Sequence, residues 1–144
     1  MVKTAVVTGG AKGIGQACVV ELARVGYDVR IWDYDFAAAQ QTAEAVVKKG
    51  GAASAQHVDV SDGNSVANAR DALGRSTPVS VLVNSAGISG SHPDQLNTNT
   101  WDEQMNIYAK GVFLSMQAVV PIMQKAGRGS IVNISSISAF VGQA

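Results

Sequence analysis

Short apolar runs rich in β-branched residues alternate with longer, helix-like segments along the whole chain. The predicted strands are Lys3–Thr8, Asp28–Asp33, Ala53–Asp59, Val79–Val83 and Ser130–Ser135. The predicted helices are Gly13–Val25, Phe36–Lys49, a segment from Ser61 or Asp62 through Leu73, and Trp101–Lys125. Alternating strands and helices predict parallel pairing, because a parallel strand is reached through a crossover connection. The pattern therefore predicts an α/β fold with a doubly wound parallel sheet.

The end of the chain departs from this alternation. Ile131–Ile134 is a strong strand candidate, and no helical segment follows it before Ala144. A last strand without a crossover helix leaves an apolar edge and face uncovered. We therefore expect residues 1–144 to be the N-terminal part of a longer single domain with further strands and helices, or another element to cover this side.

A polar stretch, Ser85–Thr100, precedes the last predicted helix. It is too long for an ordinary connection, so we expect it to be functional or partly structured. The following helix is expected to present one apolar face. That face comprises Ala109, Val112, Phe113, Met116, Val120 and Met123.

Composition restricts the functional class. The chain carries 11 Lys and Arg against 11 Asp and Glu, so its formal net charge is zero. This balance argues against a nucleic-acid binder, which needs a basic excess to neutralise phosphates. A single cysteine, Cys18, excludes an internal disulfide and a cysteine metal cluster, and we predict no metal. The apolar runs are too short for a signal peptide or a membrane span, so we expect a cytoplasmic protein without membrane contact.

A glycine-rich turn, Thr8-Gly9-Gly10-Ala11-Lys12-Gly13-Ile14-Gly15, connects the first strand to the first helix. In this context one glycine forms the tight turn, one lets backbone amides approach a pyrophosphate, and one lets the helix pack against the strand. The helix N-terminus adds free N–H groups and a positive dipole. An ordinary glycine-rich turn is the alternative, whereas the P-loop pattern is absent. The turn predicts dinucleotide binding through Gly9, Lys12, Gly13, Ile14 and Gly15.

Two charged residues give opposite indications about which dinucleotide binds. Asp33 ends the second predicted strand, 18 residues after Gly15. A carboxylate at that place accepts hydrogen bonds from an adenosine ribose 2′-OH and repels a 2′-phosphate, which favours NAD. Lys12 would attract such a phosphate, although a solvated turn lysine is the simpler interpretation. Because no arginine follows Asp33, we predict NAD as cofactor, with NADP as the alternative.

Four segments together resemble the classical short-chain dehydrogenase/reductase family, whose fold is a Rossmann sheet. They are Thr8-Gly9-x-x-x-Gly13-x-Gly15, Asp59-Val60, Asn84-Ser85-Ala86-Gly87 and Asn133-Ile134-Ser135-Ser136, in the family's order and across almost the whole chain. The resemblance implies NAD(P)-dependent hydride transfer between an alcohol and a carbonyl. Sugar alcohols, diols, ketoacyl groups and steroids are typical substrates of such enzymes, and homodimers or homotetramers are their usual assemblies.

The resemblance also assigns roles to individual residues. It makes Ser136 the serine that hydrogen-bonds the substrate oxygen, with Ser135 and Ser138 as weaker choices. Asp59 and Val60 match the pair that contacts adenine, and Asn84, Ala86 and Gly87 match the motif beside the cofactor. We expect Gly87 to allow close approach of the backbone and Asn84 to tie neighbouring strands together.

Two departures from the family pattern affect catalysis. The Tyr-x-x-x-Lys pair that acts as acid and base in the family is absent, and the pattern places it just beyond Ala144. Tyr108 occupies the position of the family's helix asparagine, which supports a proton relay. Asn106 is nearby, but two residues of ideal helix rotate it about 160° from that face. We predict that Tyr108 weakens the relay and crowds the site.

Other interpretations of the chain remain open. A non-catalytic dinucleotide-binding or interaction module would also lack the acid–base pair. A flavodoxin-like phosphate binder is less consistent, because it does not need both asparagine-containing motifs. His57 and His92 have no partner at metal-ligand spacing, although His92, Ser89 and Ser91 are candidates to line the substrate side.

Overall fold

The computed structural model describes residues 3–74, 77–88, 97–137 and 140–141. Its strands are β1 (Lys3–Thr8), β2 (Tyr27–Asp33), β3 (Ala52–His57), β4 (Val79–Asn84) and β5 (Ser130–Asn133). Its α-helices are α1 (Gly13–Arg24), α2 (Phe36–Lys48), α3 (Gly63–Ala72), α4 (Thr98–Met105) and α5 (Gly111–Lys125). A π-helical segment, Asn106–Lys110, joins α4 to α5.

The five strands form one parallel sheet in the order β3-β2-β1-β4-β5. The chain moves outward from β1 through β2 to β3, and then returns to place β4 on the other side of β1. This reversal places α1 and α5, which follow β1 and β4, on opposite faces of the sheet. Doubly wound sheets bind their ligands beside such a reversal, at the carboxyl ends of the strands. The predicted doubly wound α/β sheet is confirmed.

The sheet is covered on both faces, and each face has its own apolar core. Val6 points into the core that contains Trp32, Leu82 and the buried residues of α3 and α5. Its neighbour Val7 points into the opposite core, which contains the buried residues of α1 and α2. The alternation follows from strand geometry, since successive side chains leave a strand on opposite faces.

Most predicted elements agree with the structure to within a residue, but two strands are shorter than expected. Strand β3 ends at His57 rather than Asp59, because the Asp59 carboxylate accepts the Ser61 N–H at 2.8 Å and turns the chain. Strand β5 ends at Asn133 rather than Ser135. Its partner β4 has itself ended at Asn84, which leaves no further ladder for the chain to join.

The last predicted helix differs most from the prediction. Asn97 caps it by accepting the Asn99 N–H, so the helix begins at Thr98 inside the predicted polar loop. The π-helical segment then changes the register of the residues that follow. Phe113 of the predicted apolar face is 60% exposed, whereas the buried residues of α5 are Gly111, Ser115, Ala118, Val119 and Met123. Among the described helices, none is long and apolar enough to cross a membrane.

Strand β5 lies at the edge of the sheet, and all four of its residues are exposed. Ile131 and Val132 are 37% and 48% exposed, whereas the central strand β1 is buried from Thr4 to Thr8. The expected uncovered apolar surface at this side of the sheet is therefore present.

Candidate functional site

A cleft of about 1320 Å³ opens at the carboxyl ends of the strands. Residues from all five segments that follow the strands line it, together with the π-helical segment. Among the predicted site residues, those lining it are Gly9, Lys12, Gly13, Ile14, Asp33, Asp59, Val60, Ala86, Gly87, Tyr108 and Ser136. The structure thus brings together residues that are up to 127 positions apart in the sequence. Gly15 and Asn84 lie behind this surface, where they are buried.

The glycine turn is packed too tightly for side chains at two positions. Gly9 has φ +67°, and a Cβ there would lie 2.6 Å from the Ala86 Cα. A Cβ on Gly15 would overlap the carbonyl oxygen of Gly9. Gly13, with φ +58°, needs its conformational freedom instead, because nothing lies within 4 Å of its missing Cβ. These three positions leave an open backbone surface at the N-terminus of α1.

Thr8 ties this turn to the loop after β4. Its hydroxyl oxygen accepts the N–H groups of Ser85 and Ala86, each at 3.2 Å. Thr8 is 1% exposed and its two donors are half-buried, so both bonds are partly shielded from water. The glycine-turn motif includes Thr8 but does not predict this role for its side chain.

Asp33 holds the backbone of the turn while it faces the cleft. One carboxylate oxygen accepts the Ala11 N–H at 2.8 Å, and the other accepts the Asp35 N–H at 2.9 Å. Each oxygen has a second lone pair, so the group keeps acceptor capacity for a ligand hydroxyl. Asp33 is half-buried, which strengthens these interactions relative to a fully solvated carboxylate.

Lys12 is exposed, as a solvated turn lysine would be, but it is paired. Its ammonium donates to Asp35 Oδ2 at 2.7 Å. The hydrogen bond and charge of Asp35 raise the pKa of Lys12 above its ordinary value. The Lys12 ammonium, with help from the Ala38 N–H, lowers the pKa of Asp35. Sequence reasoning missed Asp35, although an aspartate directly before a helix is an N-cap signal.

The Asp59-Val60 pair is fixed from two directions. Ser61 donates its hydroxyl to the Asp59 carboxylate at 2.6 Å, and Asp59 donates its N–H to the Ser65 hydroxyl at 3.0 Å. Val60 is 7% exposed and lies against Gly111, where a Cβ would come within 2.8 Å. The absence of a side chain at Gly111 therefore lets the start of α5 approach this wall of the cleft.

Asn84 ties neighbouring strands together, as predicted. Its side-chain amide donates to Asn133 Oδ1 at 2.8 Å, which links the ends of β4 and β5. Asn84 is 3% exposed, whereas Asn133 is exposed, so the bond is partly buried. The link fixes the start of the segment that carries Ser135 and Ser136.

Tyr108 lies in the π-helical segment and covers the loop after β4. Its hydroxyl donates to the Ile88 carbonyl oxygen, and its ring occupies the space beside Gly87. A Cβ on Gly87 would be 2.7 Å from the Tyr108 Cε1, so the missing side chain makes this contact possible. Asn106 also borders the cleft, although the sequence predicts that it is rotated away from the helix face that carries Tyr108.

Ser135 and Ser136 both follow β5, and both line the cleft. Ser138, His92, Ser89 and Ser91 lie outside the described residues. His57 is exposed and places its ring 5.3 Å from that of Tyr34, which is itself at the rim of the cleft. Among the described residues, no group of three His, Cys, Asp or Glu side chains is placed to hold a metal ion.

Known proteins match this chain over nearly its whole length. A family model described as short chain dehydrogenase matches residues 3–144. Cyclopentanol dehydrogenase from Comamonas sp. (strain NCIMB 9872) is 39% identical over 142 residues, covering 97% of this chain and 57% of that protein. The 3-oxoacyl-(acyl-carrier-protein) reductase FabG of Staphylococcus aureus (strain Mu50) is 34% identical, covering 99% of this chain and 59% of the reductase. The chain thus spans somewhat more than half the length of these curated relatives.

Solved structures agree with these matches. A protein from Beutenbergia cavernae, provisionally described as an NAD(P)-dependent gluconate 5-dehydrogenase, was solved with NADP at low occupancy. It superposes with a TM-score of 0.89 at 32% identity, covering 98% of this chain and 57% of the other. The crystal structure of gox2181 superposes with a TM-score of 0.91 at 36% identity, covering 99% of this chain and 56% of the other.

Proposed function

This chain belongs to the short-chain dehydrogenase family, and from that premise we propose that the protein oxidises an alcohol, or reduces a carbonyl, by hydride exchange with a nicotinamide dinucleotide. The observation that carries the proposal is the convergence of the glycine turn, Asp33 and Ser136 on one cleft at the reversal point of the sheet. The cyclopentanol dehydrogenase and the FabG reductase among its relatives are named for alcohol and carbonyl chemistry.

The residues of the cleft fit a dinucleotide. Gly9 and Gly13 leave a surface without side chains beside the first turn of α1, where backbone N–H groups and the helix dipole favour a pyrophosphate. Asp33, Asp59 and Val60 line the same cleft, and the proposal assigns Asp33 to the adenosine ribose and Asp59 and Val60 to the adenine. When bound, the cofactor supplies the hydride acceptor or donor, and the protein's task is to bind, orient and polarise.

Ser136 is the residue that we propose to act on the substrate. Removal of a hydride from an alcohol carbon leaves negative charge on its oxygen, and a hydroxyl donor at that oxygen stabilises the charge. A proton must also leave the alcohol or reach the carbonyl, which requires an acid–base group. We propose that a Tyr-x-x-x-Lys pair in sequence beyond Ala144 supplies that group.

We further propose that NAD is preferred, with Asp33 as the discriminating residue. Asp33→Asn removes the negative charge and keeps one acceptor oxygen, so repulsion of a 2′-phosphate is relieved. The ratio of the dissociation constants for NADPH and NADH should fall by about tenfold or more. Fluorescence titration with each reduced cofactor measures both constants. A ratio that stays at the wild-type value would remove Asp33 from cofactor selection.

Tyr108 provides a separate prediction about turnover. Tyr108→Asn in the intact enzyme restores the residue type that the family uses and removes the ring beside Gly87. We expect kcat to rise by about threefold to tenfold through an improved proton relay. Tyr108→Phe is the matched control, because it removes the hydroxyl bond to Ile88 and keeps the ring. Unchanged turnover in Tyr108→Asn would contradict a relay role for this position.

The proposal also covers the substrate class, the assembly and the cellular location of the protein. We propose a small-molecule alcohol or carbonyl substrate, of the ketoacyl, diol or sugar-alcohol type. A homodimer or homotetramer and a cytoplasmic location complete it, supported by the family and by the single cysteine.

The deciding experiment combines binding and turnover in the intact protein. NADH is titrated by fluorescence, and cyclopentanol, diols, sugar alcohols and ketoacyl thioesters are assayed with NAD or NADH. The proposal expects micromolar binding and turnover of at least one substrate class. Binding without any turnover would favour the alternative, a dinucleotide-binding module, and absence of binding would overturn both.

A further inference from the structure

Lys12 and Asp35 line the cleft beside Asp33, the residue that the proposed function assigns to the adenosine ribose. Asp35 Oδ2 accepts from the Lys12 ammonium at 2.7 Å, while Asp35 Oδ1 accepts the Ala38 N–H at 3.1 Å. The Asp35 backbone N–H also donates to Asp33 at 2.9 Å. Asp35 is thus held through its backbone N–H and through both carboxylate oxygens, and Oδ2 is the oxygen that binds the lysine.

Lys12 places a positive charge in a cleft whose other charged side chains, among the described residues, are acidic. Among the described residues that line the cleft, it is the only Lys or Arg, against the acidic side chains of Asp33, Asp35, Asp59 and Glu103. A phosphate on the ribose carries about two negative charges near neutral pH, so it depends on available cationic donors. The ammonium that would serve it is already bound to Asp35.

We propose that Asp35 determines cofactor specificity by engaging Lys12, so that the glycine turn cannot offer its ammonium to a 2′-phosphate. The inference rests on the proposed dinucleotide site and adds a second discriminating residue to it. Asp33 repels the phosphate directly, whereas Asp35 removes the cation that would compensate for that repulsion.

The two oxygens of Asp35 separate this role from its structural one. Asparagine and serine are as good as aspartate at capping a helix, so Asp35→Asn and Asp35→Ser keep an acceptor for the Ala38 N–H. Both variants lack the charge that holds Lys12. Since exposed ion pairs contribute little to folding, neither variant should unfold the protein.

The test measures binding of NADPH and NADH to the intact protein by fluorescence titration. In Asp35→Asn and Asp35→Ser, NADPH should bind about tenfold more tightly, because a cation is released and a negative charge is removed. The dissociation constant for NADH should change by less than about twofold, since NADH has no 2′-phosphate. The NADPH gain should shrink in high salt, where the Debye length is only about 3 Å at 1 M.

Lys12→Gln in the Asp35→Asn background identifies the cause. The NADPH gain should be lost in the double variant, because no ammonium remains to be released. Asp62→Asn is the matched control, since Asp62 also caps a helix, by accepting the Asn64 N–H, and has no lysine partner among the described residues.

The possible outcomes separate the inference from the proposed function. Unchanged NADPH affinity in both Asp35 variants, or a gain that survives Lys12→Gln, would overturn the role of Asp35 while NADH binding leaves the dinucleotide site standing. A wild-type protein that binds neither NADH nor NADPH would overturn the site itself and the inference with it.

Discussion

Ser136→Ala should lower kcat for alcohol oxidation in the intact protein by about 10² to 10³-fold, the usual cost of removing one donor to a developing oxyanion. The hydroxyl follows β5 and lines the cleft together with Gly87 and Tyr108. Because the proposed role of Ser136 is at the substrate oxygen, its loss should leave the NADH dissociation constant within about twofold of the wild-type value. Steady-state kinetics and a fluorescence titration on the same preparation measure the two effects.

Two neighbouring serines make the comparison specific. Ser135 also lines the cleft, and Ser138 lies outside the described residues. Ser135→Ala and Ser138→Ala should each lower kcat by less than about tenfold, because neither is the expected donor. If one of them produces the large loss and Ser136→Ala does not, the assignment of the catalytic serine is wrong. If Ser136→Ala weakens NADH binding as much as it lowers kcat, its role is in the cofactor site.

The parts of the fold that the sequence predicts are those with a local periodic signal. Strand β1 was predicted at its observed bounds, because a buried parallel strand is a continuous apolar run ended by glycine. The π-helical segment was not predicted, since a changed hydrogen-bond register leaves no trace in apolar spacing. That segment contributes Asn106, Ile107 and Tyr108 to the lining of the cleft.

In the candidate site, too, local features can be predicted from the sequence and long-range contacts cannot. Glycines and motif residues can be located in sequence because their spacing reflects a local turn. The contacts of Thr8 with Ser85 and of Lys12 with Asp35 join residues 77 and 23 positions apart, so only the folded sheet reveals them. Lys12 illustrates the consequence, because its sequence position suggests a free cation and the structure shows a paired one.

Gly15→Ala should destabilise the protein more than Gly13→Ala, the substitution two residues earlier in the turn. The new Cβ would overlap the Gly9 carbonyl oxygen. Gly9 cannot easily move away, because its N–H donates to the Trp32 carbonyl at 2.8 Å and its Cα faces Ala86. We expect the free energy of unfolding to fall by about 2–3 kcal/mol, as in other overpacked interiors.

The same substitution should also impair the cofactor site, because the turn can relieve the overlap only by shifting the backbone that faces the pyrophosphate. NADH affinity should fall by about 100-fold, equivalent to about 2.7 kcal/mol. Urea unfolding and fluorescence titration of the intact protein measure the two losses.

Two further glycines separate steric overlap from the general effect of adding a methyl group. Gly63 begins α3, and its nearest neighbour beyond a new Cβ is Leu114 Cδ2 at 3.7 Å, so Gly63→Ala should change stability by less than about 0.5 kcal/mol. Gly13→Ala meets no atom within 4 Å but must keep φ near +58°, which costs about 1–2 kcal/mol. The expected order of destabilisation is therefore Gly15, then Gly13, then Gly63. If Gly15→Ala and Gly13→Ala lower the free energy of unfolding by the same amount, the close approach of α1 to the turn adds no steric cost, and the predicted order is wrong.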